Sequence, residues 1–123
     1  MGKIREVDDF LGNTTDARQT LRESHPEVMF AALNGGRPMT HTKKTADGFK
    51  ERLALLSDLF DDSESVVSKV RARYLKREVA DDDILDALIL ATGAERCVRL
   101  GIRTLPTESE MDTHGLRMEM VYV

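Results

Sequence analysis

Residues 81–91 read Asp-Asp-Asp-Ile-Leu-Asp-Ala-Leu-Ile-Leu-Ala, the strongest helix signal in the chain. From Ile84 to Ala91 apolar side chains fall on nearly every side of a helix, a pattern typical of a helix buried on several sides. Acidic residues suit the first turn because they offset the positive end of the helix dipole. We predict that this helix begins at Asp81 and ends at Gly101.

The aspartates of this helix carry the main chemical signal. Asp83 and Asp86 are three residues apart and so share one helix face. Two carboxylates on one helix face are a candidate binding site for Mg²⁺ or Mn²⁺. Spacing alone favours the simpler interpretation, in which the acidic residues of the first turn offset the helix dipole and Asp81 or Asp82 caps the helix. Asp86 fits that interpretation less well, because it lies one turn inside, among leucines, where an unpaired carboxylate is costly.

Further helices are predicted on both sides of a short basic loop. Residues 4–11 have helical apolar spacing and Gly12-Asn13 stops it. Ser24-His25-Pro26-Glu27 predicts a helix start, with Ser24 as cap and Glu27 completing a capping box, and residues 34–36 end that helix. Residues 37–45 form a loop. Two more helices follow, one from Ala46 and one after residues 61–63, with apolar faces formed by Phe49, Leu53, Leu56, Phe60, Val66, Val67, Val70 and Tyr74.

Strand signals are few. Residues 18–23 could form a short strand, although Leu21 is its only strong apolar residue, and residues 106–112 predict a polar loop. Residues 116–122 alternate with period two, which predicts a strand with one buried face. Two strands alone are marginal in water, so we expect either a missing part of the sheet or a second copy that completes it. A bare strand edge and uncovered apolar faces favour a homodimer.

Composition limits the function classes. The 123 residues, with 41% hydrophobic and 33% charged residues, predict one domain over residues 1–123. The net charge of −4 and the 5% aromatic content argue against a general single-strand binder, so contact with nucleic acid needs a local basic patch. Cys97 is the only cysteine and no apolar run spans a bilayer. We expect a cytoplasmic protein without a membrane segment.

Several motifs together resemble the domain-of-unknown-function family 429, the predicted RNase H-like nucleases. They are Glu-Ser-His-Pro-Glu (23–27), Phe-Ala-Ala-Leu-Asn-Gly-Gly-Arg-Pro (30–38), Lys-Lys-Thr (43–45), Glu-Arg-Leu-Ala-Leu-Leu (51–56), Asp-Asp-Asp-Ile-Leu-Asp-Ala-Leu (81–88) and Gly-Leu-Arg-Met-Glu-Met-Val-Tyr (115–122). The Asp-x-x-Asp-Ala-Leu helix also resembles the last catalytic motif of RuvC-type resolvases.

The resemblance implies an α/β class: a partial RNase H-like fold, helix-rich, with one or two strands and its N-terminal strands missing. It implies two-metal phosphodiester hydrolysis with Mg²⁺ or Mn²⁺. Glu23 would match the central carboxylate, and Asp83 and Asp86 the C-terminal pair; these three would be catalytic. Glu23, Asp82, Asp83 and Asp86 would bind metal. Position alone favours the simpler interpretation of Glu23, a solvated carboxylate at a strand end.

The sequence departs from the family pattern at its start, where no strand carries an aspartate in a Gly-x-Asp context. The chain therefore resembles only the C-terminal half of the domain, and we expect weak or no nuclease activity from it alone. The alternative is a catalytically inactive, self-associating or protein-interaction module of the same fold.

Basic residues around the loop are candidates for phosphate contacts. Arg37, Lys43, Lys44 and Arg52, with His41 and Lys50 nearby, could bind nucleic-acid phosphates, although charged surfaces are usually just solvated. His25 fits local hydrogen bonding better than a place beside a metal. Cys97 fits packing as a small apolar residue.

Overall fold

The computed structural model describes residues 2–123 and is helix-rich. Its elements in order are α1 (Gly2–Asn13), α2 (Thr15–Thr20), α3 (Pro26–Leu33), α4 (Ala46–Leu59), α5 (Ser63–Arg73), α6 (Asp81–Leu100), β1 (Arg103–Met111) and β2 (Arg117–Tyr122). The strands form one antiparallel two-stranded sheet. The predicted helix-rich α/β class with one or two strands is confirmed. Within residues 2–123, no helix combines the length and hydropathy needed to cross a membrane.

The chain divides into two compact units, residues 1–24 with 103–121 and residues 25–102 with 122–123. In the second unit α3, α4 and α5 pack against α6. The core consists of apolar side chains from all four helices, namely Met29, Phe30, Leu56, Val67, Ile84, Leu85 and Ile89. The sequence places these residues at helical spacing, so each helix turns one stripe inward. The predicted extent of α6 is confirmed, and Gly101 follows it with φ 93°.

The start of α3 differs from the predicted capping box. The helix begins at Pro26, which fits the first turn, and His25 holds the cap position without a side-chain hydrogen bond. The Ser24 hydroxyl instead donates to the Val121 carbonyl at 2.8 Å, in the first unit. Glu27 accepts from Arg52. The predicted capping roles of Ser24 and Glu27 are therefore wrong, because both side chains bind groups distant in sequence.

The first unit contains α1, α2 and most of the hairpin. The Arg18 guanidinium of α2 donates to the carbonyls of Leu11 and Gly12 and so holds the end of α1. The predicted amphipathic helix at residues 4–11 is confirmed, yet none of the twelve residues of α1 is buried. Its apolar face stays open to solvent.

One strand prediction and one loop prediction are wrong. Residues 18–20 belong to α2, and only the segment after it is extended, with the Glu23 carbonyl accepting from the Val121 amide at 2.8 Å. Residues 106–111, predicted as loop, lie in β1. Because nearly all of β1 is exposed, its sequence lacks the apolar alternation that predicts a strand.

The C-terminal strand is confirmed as β2, but its inward face is unexpected. Glu119 and Val121 are its buried residues, whereas Met118 is 48% exposed. Arg22 donates to Glu119 at 3.1 Å, and Ser109 donates to its other carboxylate oxygen. A buried carboxylate needs such partners, and these hydrogen bonds allow the face of β2 that carries Glu119 to be the buried one.

Candidate metal centre

Three carboxylates converge at the start of α6. Asp82, Asp83 and Asp86 each offer an oxygen, and these oxygens all lie within 4.8 Å of one another. Helical spacing explains the arrangement, because residues three and four apart share a face. The sequence-predicted residues of this helix are thus brought together.

Each aspartate has a different environment. Asp82 is nearly buried, and its Oδ2 lies 2.6 Å from Lys44 Nζ and 3.6 Å from Lys43 Nζ. Asp86 is 18% exposed, and its Oδ2 accepts from Lys43 at 2.8 Å. The Oδ1 of Asp86 is buried and has no hydrogen-bond partner among the described residues. Asp83 is exposed and accepts from the Ala80 amide at 3.3 Å, so this contact at the start of α6 comes from Asp83 and not from Asp81 or Asp82, the predicted capping residues.

The lysines change the titration of this cluster. The hydrogen bond from Lys44 outweighs burial and lowers the pKa of Asp82. The hydrogen bond with Asp86, together with the charges of Asp86 and Asp82, raises the pKa of Lys43 despite partial burial. The ammonium groups of Lys43 and Lys44 thus supply counter-charge that favours the ionised form of Asp82.

Residues 37–45 hold these lysines in place. Glu51 on α4 accepts from the backbone amides of Thr40 at 2.7 Å and His41 at 2.9 Å. These two bonds, in that order, lower the pKa of Glu51 from 4.5 to about 2. Thr45 closes the loop by accepting from the Gly48 amide as the cap of α4. A carboxylate that anchors two loop amides restricts the backbone from which Lys43 and Lys44 project.

Arg52 is part of the core rather than of the basic surface. It is 3% exposed and donates to both carboxylate oxygens of Glu27 at 3.0 and 2.8 Å. It also donates to the carbonyls of His41 at 2.9 Å and Gly48 at 3.0 Å. With its donors used in this way, its guanidinium has no free side to offer a phosphate. The sequence feature that could have indicated the burial of Arg52 is its position within the apolar stripe of α4, next to Leu53.

A hollow of about 520 Å³ adjoins the carboxylates on the side of the lysines. Its charged lining consists of Lys43, Lys44, Lys50, Lys76, Asp81 and Asp82. Lys76 lies 2.7 Å from Asp81, whereas Lys50 is exposed and has no ion pair within residues 2–123. The hollow therefore joins a basic surface to the acidic cluster.

The remaining candidates lie elsewhere. Glu23 belongs to the first unit and is not one of the three clustered carboxylates, so its role as a metal ligand stays a prediction. Arg37 is exposed, and its Nε lies 3.5 Å from the Asn34 carbonyl. Cys97 is partly buried, and burial raises the pKa of its thiol.

The three aspartates fit a hard divalent cation. All offer oxygen, the donor that Mg²⁺ and Mn²⁺ prefer, and Asp86 Oδ1 is a buried acceptor without a donor among residues 2–123. The three oxygens lie within 4.8 Å of one another, so these side chains are placed where together they could hold one cation. The cation would, however, have to compete with two lysines.

Comparison with known proteins gives one finding. No curated protein and no solved structure is significantly similar to this chain. A family model described as a protein of unknown function, DUF429, matches residues 1–111. Because that match covers most of the sequence, the chain belongs to the DUF429 family.

Proposed function

We propose that this chain supplies the α6 carboxylates of a divalent-cation-dependent site that cleaves phosphodiester bonds in nucleic acid. Asp82, Asp83 and Asp86 would bind Mg²⁺ or Mn²⁺. The observation that carries the proposal is Asp86 Oδ1, which is buried, has no hydrogen-bond partner in the described part of the chain and belongs to a group of three converging carboxylates. An unpaired buried acceptor costs free energy, and a cation would remove that cost.

The adjoining hollow supports a phosphate-bearing substrate. Lys43, Lys44, Lys50 and Lys76 line it beside the acidic cluster. Phosphate oxygens accept from lysine, and non-specific affinity for nucleic acid depends on such contacts. Of the residues predicted to contact phosphate, Lys43 and Lys44 keep that role in the proposal, with Arg37 as an exposed outer contact. Arg52 is left out, because its guanidinium is buried against Glu27.

The proposed site is incomplete on α6 alone. A divalent cation bound there would supply an activated water and stabilise the leaving oxygen, and the family resemblance implies a further carboxylate from outside α6. Glu23 is the proposed further ligand, on the resemblance described above. We therefore expect cation binding to be measurable while nucleic-acid cleavage is weak.

Calorimetric titration with Mn²⁺ tests the proposal. We expect binding heat with the wild type and its loss in the Asp83→Asn/Asp86→Asn variant. Asp81→Asn is the matched control, since Asp81 lies in the same turn but pairs with Lys76 and Arg71 outside the cluster. Identical heats from the wild type and the double variant would rule out this site. Cleavage assays on single- and double-stranded DNA and RNA with Mn²⁺ then identify the substrate.

A second candidate function is a self-associating module, and the first unit favours it. A groove of about 870 Å³ runs between α1 and the hairpin, within that unit. Its apolar lining includes five residues that are each more than 40% exposed, namely Ile4, Val7, Leu21, Leu105 and Met118. Contiguous exposed apolar side chains are typical of surfaces that bind another protein. The charged lining mixes lysine and arginine with aspartate and glutamate, so the same surface on a second copy can face it without net repulsion.

Light scattering tests this candidate. We expect a dimer at micromolar concentration that Val7→Asp converts to a monomer. Val98→Asp is the matched control, because Val98 is 88% exposed on α6 in the other unit. A monomeric wild type, or a Val7→Asp variant that stays dimeric, would exclude the groove as a self-association surface.

A further inference from the structure

We infer that Lys43 is a built-in counter-ion that occupies the cation position between Asp82 and Asp86, so that a divalent cation binds only as the Lys43 ammonium leaves. The inference rests on the proposed function and adds a means of regulation to it. When released, the same ammonium would be free to reach a phosphate in the adjoining hollow.

The position of the ammonium carries the inference. Lys43 Nζ lies 2.8 Å from Asp86 Oδ2 and 3.6 Å from Asp82 Oδ2, and so contacts two carboxylates of the cluster at once. Lys44 Nζ contacts Asp82 alone, at 2.6 Å. Of the two lysines, Lys43 is therefore the one that bridges the carboxylates, as a bound cation would.

Charge balance makes the ammonium and the cation exclusive. Three carboxylates against two ammonium groups leave one net negative charge on the cluster. A divalent cation added without loss of a lysine would make the cluster net positive and would lie beside the Lys43 ammonium. Like-charge repulsion therefore opposes binding of both cations at the same two carboxylates.

Lys43 can leave without unfolding the loop. Its side chain is 34% exposed, and it lines both the cluster and the hollow. Its backbone is held separately, by Glu51 on the amides of Thr40 and His41 and by Arg52 on the His41 carbonyl. Rotation of the flexible lysine stem is then enough to move the charge from the carboxylates to the hollow.

Mn²⁺ calorimetry on the wild type and three variants tests the inference. We expect Lys43→Met to bind Mn²⁺ about tenfold more tightly than the wild type, since the competing cation is gone. Lys50→Met removes the same charge from the same hollow without touching the cluster, and we expect its affinity to stay within about twofold of the wild type. Lys43→Gln keeps a hydrogen-bond donor but removes the charge, so we expect it to bind Mn²⁺ more tightly as well. This variant shows whether the gain in affinity comes from loss of the charge or from changed packing of the side chain.

Thermal unfolding provides a readout independent of binding heat. Lys43→Met should lower Tm without metal, because Asp86 loses its partner, and Mn²⁺ should then raise Tm more than in the wild type. Equal Mn²⁺ affinities for Lys43→Met and Lys50→Met would overturn the inference. If the two lysine variants bind Mn²⁺ equally well and Asp83→Asn/Asp86→Asn does not bind it, the proposed cation site is still supported and only the role of Lys43 is excluded. Absence of Mn²⁺ binding in all variants would overturn both proposals.

Discussion

The two units of this chain are stabilised in different ways. The second unit buries apolar side chains from four helices in one core. The first unit depends more on polar links, among them Arg18 on two carbonyls and Arg22 on Glu119, while α1 buries no residue. Apolar burial is the dominant favourable term in folding, so most of the stability should come from the second unit, which also carries the carboxylate cluster.

The largest expected effect compares two phenylalanines. Phe30 is fully buried in the second unit, whereas Phe10 is 51% exposed on α1. Phe30→Ala should lower the free energy of unfolding by about 3–5 kcal/mol, because it leaves a cavity and loses buried area. Phe10→Ala should cost less than about 1 kcal/mol. Urea unfolding measures both, and similar losses would mean that α1 is covered by a partner.

Two arginines give the next effect. Arg52→Met should cost about 3 kcal/mol, because it leaves Glu27 unpaired and two carbonyls without their donor. Arg22→Met should cost about 1 kcal/mol, since Glu119 keeps Arg117 at 3.7 Å and Ser109. Equal losses in urea unfolding would contradict the structural role of Arg52.

Two glycines extend the comparison to smaller effects. A Cβ at Gly48 would lie 2.0 Å from the Thr42 carbonyl oxygen, so Gly48→Ala should cost about 1–3 kcal/mol by pushing the loop away. A Cβ at Gly12, in α1, meets nothing within 4 Å. Gly12→Ala should therefore be neutral or stabilising by up to about 1 kcal/mol. Thermal unfolding gives the sign of the change in Tm for each variant. An unchanged Tm for Gly48→Ala would show that the loop is loosely held.

The smallest effect is a pH dependence. Because the pKa of Glu51 is lowered from 4.5 to about 2, its contribution to stability is present above about pH 4.5 and is lost as the pH falls towards 2. Glu51→Gln should thus have a lower Tm than the wild type at neutral pH, and the gap should narrow below about pH 4.5. A gap independent of pH would mean that the charge of Glu51 does not hold the loop.

Apart from α2, whose sequence has no apolar stripe, the helices of the described residues could be predicted because their apolar spacing reports local structure directly. The hairpin could be predicted only in part, since β1 is mostly polar and exposed and Glu119 takes a place on the inward face of β2 where an apolar residue is expected. Ser24 was misassigned for a related reason: its partner, the Val121 carbonyl, lies far away in sequence. Local patterns carry no information on such pairs.

The candidate site shows the same limit. Helical spacing was enough to place Asp82, Asp83 and Asp86 together, and the cost of burying Asp86 implied a charged partner. The identity of that partner, Lys43 from a loop 43 residues earlier, depends on the packing of α4 against α6. The role of Glu23 remains a prediction.

Anomalous diffraction from crystals soaked in Mn²⁺ shows directly whether a divalent cation replaces the Lys43 ammonium between Asp82 and Asp86. We expect a manganese peak about 2.1 Å from carboxylate oxygens of Asp82 and Asp86, with the Lys43 ammonium moved away from both. Mn²⁺ bound only elsewhere, or no peak with Lys43 still between the two aspartates, would contradict it.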